Sequence, residues 1–122
     1  MNELLPDLFH WRVHNPDIDY DVDCYWAASG GACYVLDPLT PDDGLGWFAG
    51  QRAPEHIYMT NRLHDRSCAD FATAFGAPIW CPRTGVHEYE DGSLDVSPYD
   101  AGELVGGVLA VEVGVIFPDE MT

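Results

Sequence analysis

The chain has 122 residues, 47% of them hydrophobic and 12% aromatic, too apolar for intrinsic disorder and long enough for one small domain, not two. Its 21 acidic residues face five Arg and no Lys, a formal charge of −16 that repels phosphate backbones and anionic headgroups and so argues against nucleic acid or membrane partners. No apolar run approaches the roughly 20 residues of a membrane span, and the start "MNELLPDLFHW" lacks the basic segment of a secretory signal, so a cytoplasmic protein is expected.

In chain order, residues 8–14 (LFHWRVH) alternate well enough for a strand, and Asn15-Pro16-Asp17 turns it. His10 and His14 then share one face beside Trp11, as half-buried or interfacial side chains rather than ligands. A second strand is expected over 20–28, ended by Ser29-Gly30-Gly31. The preceding "DIDYDVD" sets Asp17, Asp19, Asp21 and Asp23 on one face if extended. A solvated strand face is the expected outcome and a cation site the alternative; the EF-hand pattern is not met, since its Gly and terminal Glu are missing.

Residues 32–36 (ACYVL) are almost continuously apolar, which predicts a strand buried on both faces, followed by Asp37-Pro38-Leu39 and an acidic turn. That turn could introduce a short helix, but residues 45–51 carry too much Gly for a firm one. A fourth strand, 57–60, runs into the polar stretch "TNRLHDR". Residues 66–75 place Cys68, Phe71, Ala72 and Phe75 at helical spacing, with Gly76 as the stop and Asp65 at or just before the N-cap. A fifth short strand is expected over 78–81, and further strands over 94–96 and 104–117. The four cysteines, Cys24, Cys33, Cys68 and Cys81, form no C-x-x-C pair and read as reduced structural thiols, with Cys24/Cys33 the one local bridge worth considering.

The order of these elements, with "YVLDP" and then "HIYMTNRLHDR" leading into a helix, resembles the N-terminal half of the metallo-β-lactamase superfamily. The resemblance implies an α/β (α+β) fold. It would be a partial αββα sandwich, a single half domain over 1–122, with a mixed sheet and one clear helix after the fourth strand. It also implies a metal site at the strand end, where the family carries Thr-His-x-His-x-Asp-His. Here Thr60 and Asp65 match. Asn61, Leu63 and Arg66 stand where the three imidazoles would be, and His64 falls at a variable position. A hydrolytic zinc needs three good protein donors and an open position. Leu63 donates nothing, Asn61 is a weak ligand, and the Arg66 cation repels a dication. Metal is therefore expected to be absent, with His64, Asp65 and His87 the weak candidate ligands.

Two functions from different classes follow. The first is a domain without metal-dependent hydrolysis, keeping the strand end as a structural, assembly or small-molecule-binding site built from Thr60, Asn61, His64, Asp65 and Arg66. The second is an ester or thioester hydrolase with an altered site, one zinc, manganese or iron ion held by Asp65 and His64 together with His87 or the Asp19/Asp21 carboxylates. A Cys68/His64 pair is the outside candidate for metal-free catalysis, since a helix N-terminus lowers a thiol pKa. Half a sandwich would leave "LVGGVLAVEVGVIF" exposed, which predicts a homo-oligomer, a dimer in the first instance. Acid excess without Lys suits a protein of high-salt surroundings, where self-repulsion is screened.

Overall fold

The computed structural model describes residues 1–113 and 121–122. Seven strands form one sheet in sequential order: β1 (Asn2–Leu5), β2 (Leu8–Asn15), β3 (Tyr20–Ser29), β4 (Ala32–Leu36), β5 (His56–Tyr58), β6 (Ile79–Pro82) and β7 (Val96–Tyr99). The first four pair antiparallel, and β4 through β7 pair parallel, so the sheet is mixed. Between strands lie α1 (Gly46–Gln51), α2 (Cys68–Phe75) and a 3-10 helix, Arg83–Tyr89. Beyond β7, β8 (Gly102–Glu103) and β9 (Leu109–Ala110) make a separate two-stranded ribbon.

Strand period two sorts the side chains into two cores. On one face Trp11, Cys24, Trp26, Val35, Ile57 and Met59 pack against Phe48 of α1 and Phe71 of α2. On the other, Ala27, Tyr34, Tyr58 and Tyr99 are covered by Ala110 and Met121. Strand β4 is buried on both faces, as its unbroken apolar run requires.

The helices correct two expectations. Helix α1 forms despite its glycines, because Phe48 is fully buried between Trp11 and Phe71, with ring centroids 5.2 and 5.0 Å away. Packing overrides propensity there. Helix α2 starts at Cys68, not at Arg66, whose φ of 33° is incompatible with a helix. Its N-cap is Ser67, so Asp65 does not cap it; its C-cap is Gly76 in the left-handed region, whose N–H donates to Ala72 O.

The expected long strand after Leu104 is broken within the described residues by a 3-10 turn, Val105–Gly107; its last part, 114–117, lies outside them. At that turn Gly106 crosses the β3–β4 turn with no room for a side chain: a Cβ on Gly106 would lie 2.4 Å from Ser29 O, and one on Gly30 2.5 Å from Gly106 O. Ser29 Oγ also donates to Gly106 O at 3.0 Å. Strand β1 and the 3-10 helix at 83–89 have no counterpart in the sequence reading, and the strand expected at 94–96 forms at Val96–Tyr99.

The four cysteines are buried and free, so no Cys24/Cys33 bridge forms. On the outer face of the β2–β3 hairpin, Asp19, Asp21 and Asp23 of "DIDYDVD" meet Arg12 and the imidazoles of His10 and His14. Asp23 accepts from Arg12 at 2.9 Å and lies 2.7 Å from His10; His14 lies 3.0 Å from Asp21 and 3.2 Å from Asp19. Cross-strand pairing thus gives these carboxylates side-chain partners on β2.

Candidate functional site

The site sits where β4 and β5 end side by side. Asp37, the first residue past β4, takes the left-handed region with φ 47°, uncommon for a residue other than Gly and frequent at functional positions. Its Oδ1 accepts the Thr60 N–H at 2.8 Å, and its Oδ2 accepts the Thr60 hydroxyl. Strand β5 ends here for that reason: past Tyr58 the Asp37 carboxylate supplies the acceptor for Thr60 that a neighbouring strand would otherwise provide.

His64 completes the cluster, with Nδ1 3.1 Å from Asp37 Oδ2 and 3.4 Å from Thr60 Oγ1. An ionised carboxylate only accepts, so this contact assigns the proton to Nδ1 and leaves Nε2 as the basic nitrogen. The ring is about one-third exposed and the Asp37 side chain mostly buried.

The loop carrying these groups is tied at four successive carbonyls. Tyr99 Oη donates to Met59 O at 2.6 Å, Met121 N–H to Thr60 O at 2.8 Å, His64 N–H to Asn61 O at 3.0 Å, and Tyr89 Oη to Arg62 O. Asn61 is buried, and its Oδ1 accepts the Leu63 N–H at 2.8 Å. Arg66 turns back under the loop, Nη1 donating to Asp37 O at 2.7 Å and to Asp23 O at 3.2 Å, with Cys24 Sγ at 3.9 Å.

No protein-family profile and no curated protein sequence matches the chain. Solved structures do. A mutant flavo di-iron protein from Thermotoga maritima superposes with a TM-score of 0.71 at 17% identity, over 98% of this chain and 38% of that one. A metallo-β-lactamase family protein from Thermus thermophilus gives 0.71 at 15%, over 98% and 56%. A metallo-β-lactamase from Cronobacter sakazakii gives 0.65 at 13%, over 98% and 57%.

The chain has the metallo-β-lactamase fold. It spans less than two-thirds of the length of each of these structures. In this metallo-β-lactamase-fold chain, Thr60 and His64 meet at the strand end, but the carboxylate that joins them is Asp37, which the sequence reading treated only as a turn residue. Its signal was present: a single acid closing a buried run and followed by Pro38. Asp65 is exposed, its carbonyl accepting the Cys68 N–H at 2.7 Å, and it makes no pair with Arg66. Leu63 is half exposed. His87 is exposed on the 3-10 helix, and His64, Asp65 and His87 do not form a three-donor group; no such group of His, Cys, Asp or Glu occurs among the described residues. Cys68 is fully buried, and burial raises its thiol well above the usual range, so the Cys68/His64 pair is set aside.

Proposed function

We propose that this chain is a metallo-β-lactamase-fold domain that does not carry out metal-dependent hydrolysis, and whose strand end serves a structural, assembly or small-molecule-binding role. The observation that carries this reading is Arg66. At a position where the family pattern calls for an imidazole stands a guanidinium, whose Nη1 donates to Asp37 O and Asp23 O. It supplies a positive charge at the main-chain carbonyl of Asp37, the residue around which the site is built. Donor chemistry supports the same reading. Asn61 gives its oxygen to the main chain, Leu63 has no donor, and Asp65 and His64 alone fall short of the three protein ligands a hydrolytic zinc requires.

Metal analysis of the purified protein, with an assay on simple esters and thioesters, tests this reading. Metal-free protein without metal-stimulated turnover is the expected result. Stoichiometric zinc, manganese or iron, lost together with activity in Asp65→Ala, would instead establish the second reading, an altered-site metallo-hydrolase. What favours that alternative is the similarity of the fold to a flavo di-iron protein. We further propose a homodimer in a cytoplasmic, salt-rich setting, with neither nucleic acid nor membrane as partner. Val105, Leu109, Val111 and Val113 are each 46 to 63% exposed, an apolar surface of the kind a second copy covers. No helix among the described residues is long and apolar enough to cross a membrane.

A further inference from the structure

We propose that His64 is a metal-independent nucleophile that accepts acyl groups from small uncharged acyl donors, with Asp37 as its positioning residue. This rests on the metal-free reading of the strand end. Three observations converge on it. The contact between His64 Nδ1 and Asp37 Oδ2, 3.1 Å, places the proton on Nδ1 and the lone pair on Nε2. Nε2 has no hydrogen-bond partner among the described residues, and the ring is about one-third exposed. Finally, Asp37 itself cannot swing away, because both its oxygens are held by Thr60 and its carbonyl by Arg66. A base fixed at one ring nitrogen, with no partner among the described residues at the other, is the arrangement that nucleophilic imidazole chemistry requires.

The other histidines differ in ways that make the proposal specific. Both ring nitrogens of His14 face carboxylates, His10 is held through Nε2 by Asp23, and His56 Nδ1 accepts from Trp80. His87 is exposed and has no acid orienting it among the described residues. The carboxylates of Asp37 and the exposed Asp65, within a chain of charge −16, disfavour anionic donors and leave small neutral ones. In the step itself, the Nε2 lone pair attacks the acyl carbon and an N–C bond forms. The bond from carbon to the leaving oxygen breaks, and that oxygen departs with the proton given up by Nδ1.

Diethyl pyrocarbonate is the probe, in metal-free buffer, with each histidine followed by peptide mass spectrometry. His64 should be carbethoxylated faster than His87, and Asp37→Asn should bring His64 down to the rate of His87 while leaving His87 unchanged. Asn at 37 keeps an acceptor for the Thr60 N–H, and circular dichroism confirms that the variant is folded. Imidazole 15N shifts of the wild-type protein give a readout that needs no variant: Nδ1–H with bare Nε2 supports the proposal, and the opposite tautomer overturns it. A His64 no faster than His87 overturns it as well. Protection of His64 by one equivalent of zinc would instead overturn the metal-free reading beneath it.

Discussion

Arg66 is the residue on which the strand end turns. Its guanidinium joins the carbonyls of Asp23 and Asp37, so it links β3, the turn after β4 and the approach to α2. Replacing it by Met keeps much of the stem and removes both charge-assisted bonds, leaving two partly buried carbonyls to find water. We expect Arg66→Met to cost about 2 kcal/mol, read as a lower denaturant midpoint at unchanged slope. An unaltered midpoint would show that the guanidinium does not hold the loop. Asp23 carries a second prediction. The Arg12 hydrogen bond first, and His10 next, hold its carboxyl down at about 2. A depressed folded value stabilises the fold at pH above the unfolded carboxylate value of about 3.9, and that stability is lost as pH falls toward about 2. In Asp23→Asn the loss of stability between those values should be shallower, by a small margin because the pair is exposed. Acid titration of both proteins by circular dichroism checks it.

At the scale of elements, the helix α2 face and the glycine crossing dominate. Phe71 is fully buried against Phe48 and Trp11, so Phe71→Ala should destabilise by about 3–5 kcal/mol. The Gly106 crossing fixes the ribbon β8–β9 over the Tyr34–Tyr58 face. A methyl group there meets backbone at 2.4 Å from a residue already at φ 83°, so Gly106→Ala must displace the ribbon. Hydrogen exchange should then accelerate at Leu104 and Val111, whose amides bond to Val108 O and Thr122 O, while β2 and β3 keep their protection. Protection unchanged across the ribbon would mean that the crossing is not what seats it. The element reading from sequence succeeded where apolar spacing was long, as in β2, β3, β4 and α2. It failed at α1 and at the ribbon, where Phe48 and Gly106 act through partners distant in the chain.

For the whole molecule, charge and exposed apolar surface pull in opposite directions. A charge of −16 spread over 122 residues opposes compaction and self-association at low ionic strength. The outer side of the C-terminal ribbon, with Leu109 63% exposed, favours association. Both effects are read in one salt series. The melting temperature should rise from low to molar salt as repulsion is screened, and light scattering at micromolar concentration should report a dimer at the high end. A monomer throughout would rule out the assembly reading and leave the ribbon's outer face for a different partner. Salt-independent melting would count against adaptation to salt.

The amino-acid sequence by itself determined the sheet's buried strands, the α2 face, the reduced cysteines and the likeness to half of a metallo-β-lactamase sandwich. Each of these follows from local periodicity, or from which residue types occur at a strand end. Only the tertiary structure decided how the side chains of "TNRLHDR" are arranged. Asp37 lies 27 positions before His64 yet meets it at 3.1 Å, and Arg66 reaches Asp23 across 43 positions. Adjacency in the chain offers Asp65 as the partner of both His64 and Arg66. A positive φ at Arg66 delays the helix and sends its side chain beneath the loop, while Asp65 is left facing solvent. Hydrogen bonds between strand ends are set by sheet register, and register is not written in any one stretch of chain.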